Sequence, residues 1–169
     1  EMASKVNPSN TEDKEEVTSF IEEDEEFQKY FIDYLKENAK EITYSVKEAK
    51  LDGDKATVDV DVKYVDGKPL FTAVIADYFP KAMSIAFSGV EMTDEETSNM
   101  FLESMKAQQE NIEKKIEEKT ITVNCIKVDD VWYIDNLNDE LLDVATSNIV
   151  SAVDEMNNSF NSEDQEESN

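Results

Sequence analysis

The chain contains no histidine, and all 16 of its basic residues are lysine, so arginine is missing as well. It has one cysteine, three glycines and three prolines in 169 residues. Each scarcity removes chemistry. Without His there is no imidazole general base, no Ser-His-Asp or Cys-His nucleophile and no His-ligated zinc. One Cys forbids an intrachain disulfide and a multi-Cys zinc site, and no Arg means no bidentate clamp on phosphate. Cationic charge is scarce too: 16 Lys face 41 Asp plus Glu, a net −25 at pH 7. Nucleic acid is therefore not an expected partner, because its binding is driven by cationic side chains that displace counterions. No pattern in the chain asks for a metal or another cofactor. Long apolar runs are also lacking. The longest, Leu70 to Phe87, is broken by Asp77, Pro80 and Lys81, a trio rarely found in a membrane span of about 20 apolar residues. It reads as a helix buried in a soluble core.

What is present suits one folded domain. A chain of this length buries about 68–70% of the surface its unfolded form exposes. Charged residues make up 34% and hydrophobic ones 39%, but the acids are concentrated at the flanks. Thr11 to Glu26 hold nine acids and one Lys, and Asn161 to Asn169 hold four acids and no base. The expected organisation is residues 1–10 as the end of a missing upstream helix or linker, 11–156 as a single α+β domain, and 157–169 as an acidic disordered tail. Residues 1–10 show neither a basic start nor an apolar run, so no signal peptide is expected there. A first residue of Glu rather than Met reads as a processed or truncated product.

Periodicity predicts the elements. Phe27, Tyr30, Phe31, Tyr34 and Leu35, spaced three and four apart, mark an amphipathic helix over about 24–39. A shorter one is expected before it, around Val17, Phe20 and Ile21. From Ile42 the period becomes two, and a change of parity between Val46 and Ala49 predicts a bulge near Lys47. Asp52-Gly53-Asp54 signals a hairpin turn. Ala56, Val58, Val60, Val62 and Tyr64 then alternate with Thr57, Asp59, Asp61 and Lys63, as in an antiparallel strand with one wet face. Pro69 suits a first helical turn and Gly89 a helix end, with Pro80 kinking or splitting the helix between them. Thr93-Asp94-Glu95-Glu96 reads as a capping box opening a long helix whose stripe runs Thr97, Phe101, Met105, Gln108, Ile112 and Ile116. A second hairpin is expected from Ile121, Val123 and Cys125 through Asp129-Asp130 to Trp132 and Ile134. Asn138 should cap one final helix with the stripe Leu141, Leu142, Ala145, Ile149, Ala152, Val153 and Met156. The two hairpins must share a sheet to bury their apolar faces. The expected fold is a cone, with one curved antiparallel sheet of about four strands packed against several helices.

That element order, with the phrases Ile-Thr-Tyr-Ser-Val-Lys-Glu-Ala-Lys-Leu-Asp-Gly-Asp-Lys-Ala-Thr-Val (42–58) and Val-Asp-Asp-Val-Trp-Tyr-Ile-Asp-Asn (128–136), resembles a family of uncharacterised lipoproteins from low-GC Gram-positive bacteria. The resemblance covers about Glu25 to Met156. It implies a cystatin-like fold close to the nuclear-transport-factor superfamily, and an extracellular location on the cell membrane through a lipidated Cys upstream of this chain. It carries over no functional residues.

Several constellations are candidates for a role. Tyr44, Tyr64, Phe71, Tyr78 and Trp132 are candidate ligand-binding residues if they line an apolar pocket inside the cone; core packing would use them equally well. Asp59 and Asp61 on one strand face, and Asp52, Asp54, Asp129, Asp130 and Asp135 near the turns, read as solvated and turn carboxylates, since Lys63 and Tyr64 stand where a calcium loop needs an oxygen ligand and Gly. Cys125 reads as a small buried hydrophobe. The leading expectation is a non-catalytic cell-surface module that binds a small apolar ligand or a protein, with homodimerisation possible. The alternative is an isomerase-like or dehydratase-like enzyme with a carboxylate-Tyr site, as on other folds of that superfamily. A third reading is a spacer or assembly partner.

Overall fold

A computed structural model of the chain describes the backbone of residues 25–163 and the side chains of 25–156 and 158. The expected short helix around Val17, Phe20 and Ile21, the flank at 1–10 and residues 164–169 lie outside the described residues. The fold is α+β. Its elements are α1 (Glu25–Ala39), β1 (Thr43–Asp52), β2 (Lys55–Asp66), α2 (Lys68–Ser88), α3 (Asp94–Asn111), β3 (Lys115–Val128), β4 (Val131–Ile134), α4 (Asp139–Thr146) and α5 (Ile149–Glu163).

Both hairpins join one antiparallel sheet of order β1-β2-β3-β4. The first turns at Gly53, whose φ of 61° is free of the Cβ penalty. The second turns at Asp129 and Asp130 with φ of 50° and 63°, the paired left-handed geometry that matches the strand twist and that Asp tolerates. The bulge lies where parity changes: Val46 pairs with Val60, but Ala49 pairs with Val58. Directly opposed residues share a face, so Ala56, Val58, Val60, Val62 and Tyr64 stand with Cys125, Val123, Ile121, Lys119 and Glu117. On the wet face, Asp61 accepts from Thr120 Oγ1 at 2.6 Å and pairs with Lys47 at 2.7 Å. Asp59 accepts from Thr122 Oγ1 at 3.2 Å.

The core has two parts. Phe27, Tyr34, Leu70, Val74, Leu102, Met105 and Ile149 form a helical cluster drawn from α1, α2, α3 and α5. Val62, Tyr64, Ile121 and Val144 form a second, in which α4 covers the centre of the sheet. Burying each such aliphatic side chain stabilises by about 1.5–3 kcal/mol. The α1 stripe matches its periodicity, and the capping box at Thr93 forms in both directions, with Glu96 N–H donating to Thr93 Oγ1 at 3.2 Å and Thr93 N–H to Glu96 Oε2 at 2.9 Å.

Five expectations need correcting. The α3 helix stops at Asn111, and Ile116, assigned to its stripe, sits on β3 opposite Val65. The long ladder with β2 captures that stretch, and tertiary pairing outweighs local helical spacing. Pro80, expected to kink or split its helix, lies inside one continuous helix, so of the two outcomes the split does not occur. The Leu70–Phe87 run is not a core helix: only Leu70 and Val74 of α2 are buried, and its distal half is exposed. At 1.5 Å per residue a 21-residue helix spans about 32 Å, and its fully buried residues lie within its first two turns. The final helix is two, broken at Ser147 and Asn148, both in the left-handed region with φ of 55° and 60°. The second of them continues through Glu163, across residues 157–163 that were expected to begin a disordered tail.

Candidate functional site

The break between α4 and α5 is where polar chemistry concentrates. Two consecutive left-handed residues without glycine each cost about 1–2 kcal/mol, so something must hold them. Gly67 N–H donates to Ser147 O at 2.8 Å, and Asn148 N–H donates to Asp143 O at 2.7 Å. Asn38 Nδ2, buried on α1, donates to Ser147 Oγ at 3.1 Å. The Asn148 side chain accepts from Tyr64 Oη at 2.7 Å, and its Nδ2 donates to Asp66 Oδ1 at 2.9 Å and Glu117 Oε2 at 3.0 Å. Asp66 also accepts from Lys68 N–H at 3.1 Å and Lys115 Nζ at 2.6 Å. Its side chain is 2% exposed, and Tyr64 is 1% exposed. The last residue of β2, the start of α2, the first residue of β3 and the α4–α5 break are thus tied at one point.

A buried carboxylate near a tyrosine is also where acid–base catalysis would be sought, and the electrostatics argue against that use. Burial, the largest influence, pushes the Asp66 carboxyl up, but hydrogen bonds from Lys115, Asn148 and the Lys68 N–H together hold it below its ordinary value. A general base needs affinity for a proton near the working pH and reach to a substrate; Asp66 has a weakened affinity and spends both oxygens on internal donors. Burial pushes Tyr64 up, while Lys119, whose ammonium lies 5.5 Å over its ring, acts in the opposite sense. Tyr64 and Asp66 are both bonded to the Asn148 side chain.

The five candidate ligand residues are spread across the molecule. Tyr44 is on edge strand β1 and 70% exposed, and Trp132 is on the opposite edge strand at 40%. Tyr64 belongs to the polar knot, Phe71 packs on the helical cluster, and Tyr78 meets Phe101 edge-on at 5.3 Å between ring centres. An open depression of about 430 Å³ lies beside β1, lined by Tyr44 and Val62 but also by Asp61, Lys63, Glu118 and Lys119. Among the described residues no three Asp, Glu or Cys side chains converge as metal ligands. Cys125 is half-buried, and burial followed by the Asp135 charge pushes its thiol up.

Apolar surface collects instead on the distal half of α2. Phe79, Met83 and Phe87 are 47%, 38% and 83% exposed, and Val90, just past the helix end, is 61% exposed. This helix is long and apolar enough to cross a membrane by length and composition alone, with 11% of its apolar window buried. Asp77 and Lys81 pair across one turn of it at 2.6 Å. Beyond its end stand the exposed acids Glu91, Asp94 and Glu95.

Comparison with protein-family models, curated proteins and solved structures yields no match for this chain.

Proposed function

We propose that this chain is a non-catalytic binding module whose partner is a protein with a basic, apolar face. The observation that carries the reading is the uncovered apolar end of α2, with Phe87 83% exposed, adjoining the acids at 91–95. Exposed apolar surface of this kind, rimmed by charge, marks interaction sites, and an amphipathic helix laid on an apolar surface is a recurring mode. Methionine adapts to such guests, and phenylalanine supplies a large rigid apolar face. The spent state of Asp66 favours binding over turnover. The resemblance of residues 42–58 and 128–136 to Gram-positive lipoproteins supports a location on the outer face of the membrane through an upstream lipid as part of this proposal.

Calorimetric titration with an 18-residue amphipathic Leu/Lys helix is the test, set beside the same peptide with Glu for Lys. The Lys peptide should bind, the Glu peptide should not, and Met83→Ser with Phe87→Ser should weaken binding at least tenfold. Equal affinity for wild type and variant, or no binding, overturns the docking face. Mass spectrometry that finds a co-purified small apolar molecule would favour the small-ligand reading instead. Labelling of intact cells with a membrane-impermeant amine reagent checks the location.

A further inference from the structure

The two edges of the sheet are treated differently. On the β4 side the exposed edge is short, since β4 has four residues. Beyond it β3 is closed by side chains and loop: Asn138 Nδ2 donates to Thr122 O at 2.7 Å, Thr122 N–H donates to Glu140 Oε2 at 2.9 Å, and Asp135 N–H donates to Asn124 O at 2.9 Å. On the other side β1 is ten residues long and exposed at every one. A long open edge is a template for another strand.

The side chains of β1 are suited to one particular strand, which is β1 itself. Tyr44, Val46, Ala49 and Leu51 share a face with Val62, Val60, Val58 and Ala56, the face that α4 covers farther in. Among the described residues nothing covers it over β1: Tyr44, Val46 and Leu51 are 70%, 59% and 70% exposed. Lys47 and Glu48 form the bulge between two halves of matching character. A two-fold axis midway between them sets Tyr44 against the partner's Leu51, and Val46 against the partner's Ala49. It also sets Lys47, whose ammonium pairs with Asp61 of its own sheet at 2.7 Å, beside the partner's Glu48 as a second carboxylate. Each apolar side chain then meets an apolar one on the same face, and each bulge charge meets its opposite. A lysine and a bulge ordinarily guard an edge; with Glu48 beside Lys47 the guard becomes self-complementary. The strand is also neutral within a chain of −25, since Lys47 and Lys50 balance Glu48 and Asp52. Distant acids are screened over about 8 Å at physiological salt.

We propose that β1 pairs antiparallel with β1 of a second copy, an isologous contact that joins two four-stranded sheets into one of eight. This surface is separate from the α2 face, so either can fail alone. The expected interface is of the small class, below about 1,200 Å² in total, and the dimer is concentration-dependent.

Sedimentation equilibrium of the full chain at 0.15 M salt reads the outcome. Wild type should show reversible dimerisation. Lys47→Glu sets acid against acid and Glu48→Lys sets base against base, and each should weaken self-association at least tenfold. Mixing the two variants restores both opposite pairs, so the mixture should dimerise although neither component does. Circular dichroism confirms that each variant is folded, which is expected at exposed positions. A wild type monomeric at all concentrations, a dimer indifferent to both charge reversals, or a mixture that stays monomeric each overturns the proposal.

Discussion

Asn148 Nδ2 lies 2.9 Å from Asp66 Oδ1, across 82 residues of chain. That bond joins the end of β2 to the break between the last two helices, and it explains why a non-glycine residue holds a left-handed backbone there. Strained conformations persist where the surroundings over-determine them.

Asn148→Ala removes the side-chain bonds to Tyr64, Asp66 and Glu117 and leaves a Cβ in the left-handed region. It should cost about 2–4 kcal/mol in urea unfolding. Asn148→Gly loses the same bonds but relieves the backbone, and it should cost about 1 kcal/mol less. Equal losses would show that the backbone is not strained.

Gly67 is held by a close approach, with an ordinary negative φ of −84°. A Cβ there would stand 2.8 Å from Ser147 O and 3.1 Å from Tyr34 Oη. Gly67→Ala should therefore destabilise by about 1–3 kcal/mol through overpacking. A thermal melt unchanged from wild type would contradict the observed packing.

Asp66 predicts the shape of acid unfolding. Its folded-state pKa is lowered, so its contribution is complete above the unfolded-state value of about 3.9 and is lost as pH falls through the folded-state value. Asp66→Asn should be less stable at neutral pH, and its stability should fall less steeply below pH about 4. Urea unfolding at a series of pH values checks both slopes.

The Cys125 thiol, raised by burial and by Asp135, should react with a disulfide reagent at pH 8 at least tenfold more slowly than a free thiol of pKa about 8.5. Denaturant should abolish the difference. Fast labelling of the native protein would mean that the strand opens.

Elements set by local rules were readable from residue order. The Thr93–Glu96 box, the turns at Gly53 and Asp129-Asp130, the bulge after Val46 and the cap at Asn138 all depend on neighbours within a few positions. The carboxylate that matters was not readable, because Asp66 looks like one more turn residue before Gly67. Ser147-Asn148 did leave a trace, a polar pair inside the apolar spacing of 141–156. Serine and asparagine compete for backbone hydrogen bonds and favour breaks, but only Tyr64, Asp66 and Glu117 make this break stable. The five aromatic candidates share only their residue type, and type does not say which helix covers which strand.

Residue order by itself determined the alternation of helices and hairpins, the α+β class and the absence of histidine and arginine, because composition and short-range spacing act wherever the chain goes. Tertiary structure alone decided which apolar faces were covered. Among the described residues it left β1 exposed at the sheet edge and most of the distal half of α2 exposed, and it gathered Asp66, Asn148 and Tyr64 into one buried knot. Burial and pairing between distant segments depend on how the elements are placed, and no local pattern along the chain encodes that placement.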